Sequence, residues 1–413
     1  MLQMANGSFF VVVLFLLTYA GVAIGRVPGL MIDRTGIALL GAIAMVVSGA
    51  VSLGKAVEAV DLPTILLLYA LMVLSAQLRL GGFYTWVGFR ITCLLGYPRI
   101  FLAVLMATSA VLSAILANDI ICLAFTPVLT ISLLNANLSP LPFLLGLAIS
   151  SNIGSAATII GNPQNMLIGQ VGNLHFGQFL AWCGPPSVLA LSVSYMFICW
   201  FYRKGFAQTH PFSAYERDPR WPRFNRWQSI KGLAAAIILV VLFFTSIPRE
   251  LSAIAVAGVL LCSRHMKSRQ MLELIDWHLV TLFCALFVVI QGIAVANVPS
   301  MIVETLSAKG IVLRNLSILT AVSAVMSNMV SNVPATMLLT RFLDPANPLE
   351  WYTLAISSTF AGNLVIIGSI ANLIVIEQAK NFGVEISFKE HARIGIPVTL
   401  ASLLILIGWI YLQ

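Results

Sequence analysis

Ser150-Ser151-Asn152-Ile153-Gly154-Ser155-Ala156-Ala157-Thr158-Ile159-Ile160-Gly161-Asn162-Pro163-Gln164-Asn165 interrupts an otherwise apolar run over residues 140–168. A helix that crosses a bilayer needs about 20 mostly apolar residues, and it does not ordinarily gather hydroxyls, amides, Gly and Pro at its middle. A second run, 351–379, is interrupted in the same way by Ser357-Ser358-Thr359-Phe360-Ala361-Gly362-Asn363-Leu364-Val365-Ile366-Ile367-Gly368-Ser369-Ile370-Ala371-Asn372. Small residues also serve close packing between membrane helices, which would account for Ser and Gly alone. Amides such as Asn152, Asn162, Gln164, Asn165, Asn363 and Asn372 are costly in hydrocarbon unless paired or wet. Two broken helices with unwound middles are therefore expected.

The rest of the chain has the composition such helices require. Of its 413 residues, 59% are apolar and 9% charged, with a mean hydropathy of +0.97. Soluble domains carry roughly 25% charged residues, so a cytoplasmic enzyme, a nucleic-acid binder and a disordered chain are excluded. Simple spans are expected at residues 9–25, 35–53, 62–78, 179–202, 232–247, 251–263, 279–296 and 394–412. The run from Phe9 reads as a retained first span, because no basic residue precedes Arg26. Two further stretches, 98–134 and 312–343, are interrupted at Leu116-Ala117-Asn118-Asp119 and at Asn328-Met329-Val330-Ser331-Asn332-Val333-Pro334. They read as re-entrant helical hairpins, since non-helical backbone at membrane depth survives only inside protein or beside a cavity. The fold class is thus an all-α polytopic membrane protein of about 10 transmembrane helices plus two re-entrant hairpins.

The net charge of +8 needs no nucleic acid, because cytoplasmic loops of membrane proteins are rich in Lys and Arg. Alternating the spans outward from the basic stretch 203–231 places 18 of the 23 basic residues inside and five outside (Lys55, Arg249, Lys309, Arg314, Arg341). Both termini then lie outside. Tryptophans near span ends, such as Trp182, Trp200, Trp277, Trp351 and Trp409, are expected as interfacial anchors. Residues 83–97 and 297–310 read as amphipathic connectors along the interface.

Each half contains three spans, a hairpin, a broken helix and one further span, in opposite orientation, as in the inverted repeats of secondary transporters. Residues 1–202 form the first repeat (hairpin 98–134, broken helix 140–168), 203–231 a cytoplasmic basic linker, and 232–413 the second repeat (hairpin 312–343, broken helix 351–379). At an offset of 214, Ser109-Ala110-Val111-Leu112-Ser113 falls on Ser323-Ala324-Val325-Met326-Ser327 and Asn118 on Asn332. At 207, Ser150-Ser151 falls on Ser357-Ser358, Gly161 on Gly368 and Asn165 on Asn372. Matches of Ser, Gly and Asn in successive blocks favour duplication over chance similarity of apolar helices.

Unwound segments suit ions. Helix N-termini offer N–H groups to an anion, while freed carbonyls and side-chain oxygens coordinate a cation. The expected substrate- and ion-binding residues are Asn118, Asp119, Ser151, Asn152, Gly154, Thr158, Gly161, Asn162, Asn165, Ser331, Asn332, Gly362, Asn363, Gly368, Ser369 and Asn372. Asp119 and Glu377 lie within apolar segments, and an intramembrane carboxylate is functional by default. Glu377 sits close enough to the cytoplasmic end to snorkel. Na⁺ is expected at Asn118, Asp119, Ser151, Asn152, Ser331 and Asn332, or else a proton on Asp119. No Lys or Arg falls in this expected core, so a small anion with a coupling ion and a small neutral hydroxylated solute both fit. The six cysteines are dispersed, with no CxxC or Cys/His cluster, and no HExxH, GxSxG or P-loop pattern occurs. No resident cofactor, metal centre or catalytic constellation is expected.

The same blocks resemble the ion transporter superfamily of divalent anion/sodium symporters, citrate transporters, arsenite permeases and some sodium/proton antiporters. The resemblance runs through Ala117-Asn118-Asp119 with Thr126-Pro127, Ser151-Asn152-Ile153-Gly154 through Asn165, Ser331-Asn332-Val333-Pro334, and Gly368-Ser369-Ile370-Ala371-Asn372. It implies a scaffold domain, a mobile transport domain, elevator-type alternating access and, as a rule, a homodimer. In the dicarboxylate branch a Ser-Asn-Thr motif occupies both hairpin tips. Here they read Ala117-Asn118-Asp119 and Ser331-Asn332-Val333, a departure that sets this chain closest to uncharacterised anion permeases. The expected function is secondary active transport of a small inorganic or organic anion across the inner (plasma) membrane, coupled to Na⁺ or H⁺. The alternatives are Na⁺/H⁺ antiport and arsenite or antimonite efflux.

Overall fold

A computed structural model describes residues 2–25, 29–207, 223–299, 301 and 314–413. The middle of the basic linker, most of the second connector, Arg26, Glu304 and Lys309 lie outside the described residues. Every regular element described is helical. The first half contains α1 (Leu2–Ile24), α2 (Arg34–Val47), α3 (Leu53–Ala59), α4 (Leu62–Leu80), α5 (Phe83–Ile91), α6 (Pro98–Ile115), α7 (Asn118–Asn135), α8 (Leu141–Ser155), α9 (Pro163–Val171) and α10 (Phe176–Phe201). The second contains α11 (Arg226–Leu242), α12 (Arg249–Leu261), α13 (Ser268–Leu272), α14 (Trp277–Val295), α15 (Leu316–Val330), α16 (Asn332–Leu339), α17 (Pro348–Ala361), α18 (Ile370–Lys380) and α19 (Phe388–Leu412).

Among the described residues six helices (α4, α6, α7, α10, α14 and α19) are long and apolar enough to cross a membrane, fewer than the spans counted in the sequence. Two of the six, α6 and α7, are arms of the first hairpin. Of the expected simple spans, α1 counts only over Phe9–Ile24 and α2, α11 and α12 have 14, 17 and 13 residues, and the two broken helices account for the rest. At about 1.5 Å per residue, α8 with its 15 residues rises too little to cross about 30 Å of hydrocarbon. Only α8, its break and α9 together match one span. Both hairpins are helix pairs with abrupt tips, at Leu116–Ala117 and at Ser331.

Local sequence sets the helix ends. Asp61 accepts from the Thr64 N–H at 3.0 Å to start α4, Asp276 from Leu279 at 2.9 Å to start α14, and Ser387 with Glu390 forms a reciprocal capping box for α19. Hydroxyls on α7 turn back onto its own carbonyls around Pro127, where Thr126 Oγ1 donates to Cys122 O and Thr130 Oγ1 to Thr126 O, both at 2.7 Å.

The helices pack as two groups. In a flanking group, α14 lies on α2 and α1, and α12 and α11 lie on α4. In the site group, α6 and α7 lie on α8, α15 on α17, α10 on α8 and α19, and α18 on α7. The broken helices form the centre of the site group: Pro142 through Ser155 of α8 and Glu350 through Ala361 of α17 are all buried. Large apolar side chains such as Val188 and Met196 on α10, Ile237 and Val241 on α11, and Leu400 and Leu404 on α19 are exposed. That exposure suits lipid rather than water, and the protein is a multi-pass integral membrane protein. Two of the tryptophans expected as anchors are instead buried. Trp182 lies 5.5 Å from the Tyr352 ring, and Trp351 donates its indole N–H to Asp344 O at 2.9 Å. Neighbouring helices cover these span ends. Trp200 and Trp277 are exposed.

Candidate functional site

Two helix breaks and two hairpin tips meet at the centre of the site group, and the same devices hold both breaks. Asn165 donates its amide N–H groups across the first break to Thr158 O (2.9 Å) and Ser155 O (3.2 Å). Asn372 does the same across the second, to Gly362 O (2.8 Å) and Val365 O (3.3 Å). Donors and acceptors alike are related by the offset of 207. Each clamp satisfies carbonyls that unwinding strips of intrahelical partners. At the outgoing end, Asn162 caps α9 by accepting from the Asn165 N–H at 2.8 Å. Its counterpart Ser369 opens α18 without a side-chain cap and donates to Asn152 Oδ1 at 2.9 Å instead.

Glycine is required where the backbone folds tightest. A Cβ on Gly161 would collide with the Ser155 backbone, including its Cα at 2.6 Å, and one on Gly154 with the Ala110 backbone. Serines bind the hairpins to the broken helices: Ser109 bonds Ser150, Ser113 bonds Ser151 at 2.9 Å, and Ser357 donates to Ser323 at 2.9 Å.

Asn152 is the hub. Its Nδ2 donates to Asn363 Oδ1 (2.9 Å) and Asn372 Oδ1 (3.2 Å), and its Oδ1 accepts from Ser369 Oγ and from Asn118 Nδ2 (3.2 Å). The first hairpin tip is fastened further by Ser151 Oγ donating to Asn118 O (3.1 Å) and by the Asn118 N–H donating to Gly161 O (3.2 Å). Asn162 Nδ2 reaches Ser155 Oγ (2.9 Å) and Thr359 Oγ1 (3.3 Å). One network of neutral groups thus joins Asn118, Ser151, Asn152, Asn162, Asn165, Asn363, Ser369 and Asn372.

At the second tip, Asn332 Nδ2 donates to Gly368 O (2.9 Å) and Ser358 O (3.2 Å) when the amide is turned to present its nitrogen. A Cβ on Gly362 would lie 2.8 Å from that amide. Ser331, at φ 76° and ψ 158°, holds a conformation that side chains other than glycine's strongly disfavour. Buried atoms without a hydrogen-bond partner include Ser327 Oγ and Asn328 Oδ1 on the second hairpin, Asn363 Nδ2 at the second break and Asn118 Oδ1 at the first tip. The N-termini of α7, α9, α16 and α18 all end in this region, through Asn118, Asn162, Asn332 and Ser369.

Two expected residues stand apart. Thr158 Oγ1 turns to Ala114 O. Asp119 lies beside Asn118 in sequence, but it lines a separate cavity of about 130 Å³ between the two helix groups, with Arg79, Asp276, Pro163 and apolar neighbours. Arg79, counted from sequence among the inner-loop cations, therefore lies closer to a hairpin tip than expected. Asn328 and Thr359 were not selected from sequence. Asn328 Nδ2 ties the second hairpin to Ala361 O at 3.0 Å. Thr359 could have been found, because the offset of 207 pairs it with Asn152.

Known proteins place this architecture. The citrate transporter family profile matches residues 12–356. The silicon efflux transporter LSI3 of rice is 28% identical over 91% of both chains, and a 46 kDa membrane protein of Mycobacterium leprae is 28% identical over 96% of both. The putative transporter arsB of Dictyostelium discoideum is 24% identical over 92% of this chain and 87% of its own. The Alcanivorax borkumensis YdaH transporter shares the fold, with a TM-score of 0.55 at 13% identity over 98% of this chain and 97% of that one. A profile match over most of the chain, on a multi-pass helical fold with paired helix breaks, makes this protein a membrane transporter of the citrate transporter family.

Proposed function

We propose that the protein is a secondary active transporter carrying a small inorganic or organic anion together with Na⁺ or H⁺. The observation that carries the reading is the gathering of four helix N-termini (α7, α9, α16 and α18) around the Asn152 network and the second break. Each brings roughly half a positive charge, and α7, α16 and α18 start without a side-chain cap on their N–H groups. A small anion is met there without any Lys or Arg. The coupling cation is assigned to oxygens of the hairpin tips and breaks. With its amide turned the other way, Asn332 presents its oxygen beside Gly368 O and Ser358 O, a set suited to Na⁺. Asn118 Oδ1 offers a free acceptor at the first tip. Asp119, outside the network, serves as the proton carrier or as an outer ligand to the ion.

The hairpins and both breaks belong to the site group, so alternating access is assigned to an elevator movement of that group against the flanking group. The halves 1–202 and 232–413 act as inverted repeats about a cytoplasmic linker, with both termini outside the inner membrane. A homodimer is the expected assembly.

A second reading is supported by the absence of a charged side chain from the network and by relatives named for silicon efflux and arsB: efflux of a small neutral hydroxylated acid such as arsenite. Na⁺/H⁺ exchange at Asp119 is the remaining alternative. Proteoliposomes on a solid-supported membrane, challenged with sulfate, phosphate, dicarboxylates, citrate and arsenite under Na⁺ or H⁺ gradients, separate these readings. An anion-evoked current that needs Na⁺ or H⁺ supports symport. A current evoked by Na⁺ or pH alone supports exchange, and silence with tracer arsenite flux supports neutral efflux.

A further inference from the structure

The seam between the flanking group and the site group is bonded unevenly. Among the described residues, the side-chain hydrogen bonds across it occur in two places. Tyr19 Oη of α1 donates to Pro334 O of α16 at 3.2 Å. The rest sit at the far end of α9. There Arg249, the first residue of α12, donates from Nη1 to Leu174 O (2.7 Å) and from Nη2 to Gly169 O (2.6 Å). The next residue, Glu250, accepts from Gln170 Nε2 at 3.0 Å. Phe176, two residues beyond Leu174, lies 5.6 Å from Phe243 and 5.1 Å from Phe244 at the end of α11. Near Asp119 the seam is instead a cavity in which Arg79, Asp119 and Asp276 share a wall without a bond between them.

The chemistry of the bonded end is specific. The closing carbonyls of a helix lack intrahelical partners and carry the negative end of its dipole. Gly169 O lies in the last turn of α9, where it also accepts the Leu174 N–H at 3.0 Å, and Leu174 O lies just past the helix end. A guanidinium is a planar fork that spans both oxygens at once, which an ammonium cannot do in the same geometry. The opposite end of α9 is Asn162–Pro163, inside the site, and a helix of nine residues is about 13 Å long. Arg249 therefore holds the site through a short rod gripped at its outer end.

We infer that Arg249 and Glu250 are positioning residues that latch α9 to the flanking group, and that the latch opens in every transport cycle. This rests on the elevator reading above, since movement of the site group past α12 must break these three bonds. Loss of the latch favours separation of the groups and changes the turnover rate, without altering the groups that meet the solute.

The test uses the full-length protein in proteoliposomes, with the exposed Cys93 and Cys262 replaced by Ser and with Leu167→Cys as reporter. Leu167 is buried on α9 and lines a cleft of about 610 Å³ between the groups. Each charge-assisted bond lost shifts the open population by at least about tenfold, so Arg249→Gln is expected to speed maleimide labelling of the reporter by that factor. Arg249→Lys, which keeps the charge but not the fork, is expected to fall between, and the near-isosteric Glu250→Gln gives a smaller rise if Arg249→Gln does not fold. Flux in these variants changes in maximal rate and not in half-saturating concentration. Labelling within twofold of the parent in both Arg249→Gln and Glu250→Gln, or a change in half-saturation alone, overturns the latch. Faster labelling in the variants of a parent that moves none of the solutes tested upholds Arg249 and Glu250 as the latch between α9 and α12 and overturns the coupled-anion reading instead.

Discussion

The side-chain nitrogen of Asn152 lies 2.9 Å from the side-chain oxygen of Asn363, a contact between helix breaks 211 positions apart in the chain. It makes the two breaks one object. A disturbance in either half is felt at the other through a single amide whose four hydrogen-bonding positions are all in use.

Asn165→Ala and Asn372→Ala should both destabilise, the second more. Each strands two carbonyls, a loss of about 1–3 kcal/mol, and Asn372→Ala also removes the acceptor of Asn152 Nδ2, whereas Asn165 Oδ1 accepts no bond. Thermal unfolding in detergent micelles should show both variants less stable, Asn372→Ala by the larger amount. No effect in either would mean that the clamps do not hold the breaks.

Glycine substitutions should divide by what a Cβ meets. Gly161→Ala drives a methyl group into the Ser155 backbone and should cost at least about 3 kcal/mol, the upper end of overpacking. Gly258, inside α12, has nothing within 4 Å of its missing Cβ, so Gly258→Ala should stabilise by up to about 1 kcal/mol. Equal effects in a melting assay would contradict the tight fold of the first break.

The second hairpin tip holds strain at one residue. Ser331→Gly relieves an unfavourable conformation worth about 1–3 kcal/mol and should raise the melting temperature. Ser331→Val, with a stiff branched side chain at positive φ, should lower it. A Ser331→Gly protein no more stable than its parent would place the strain elsewhere.

Asp119→Asn should leave the protein folded and the Asn152 network intact, because Asp119 takes no part in it. Under the coupled-transport reading, the variant loses its dependence on Na⁺ or pH while still recognising solute in exchange. Current and ion dependence equal to the parent would take Asp119 out of coupling.

The helix breaks were legible because a long apolar run tolerates a polar interruption at its middle only where the backbone unwinds inside protein. The helix ends at Asn118, Ser155, Pro163 and Val330 fall inside the quoted interruptions, and the end at Ile115 directly precedes one. The repeat register was legible too, and it pairs the donors and acceptors of both clamps. What each polar side chain faces was not. Asn118 and Asp119 are neighbours, yet one joins the network and the other turns to a cavity with Arg79, because successive residues on a helix point about 100° apart. Burial of Trp351 and Trp182 depends on which helices cover them, information that no local pattern carries. The strain at Ser331 is likewise a product of tertiary contacts, since serine has no intrinsic preference for that geometry.

The absence of formal charge from the joined breaks has a practical consequence. Dissolved electrolyte weakens attraction between ions, with a screening length of about 3 Å at 1 M, but it leaves bonds between neutral amides nearly untouched. Concentrated salt should therefore spare the centre of the molecule while loosening Gln170 from Glu250 and damping the pull of Asp119, Arg79 and Asp276 on anything that passes them. With Na⁺ and solute held fixed, a titration of flux with an inert salt at constant melting temperature would read the charged groups of that seam, together with the exposed pairs Arg269–Glu273 and Arg314–Asp344.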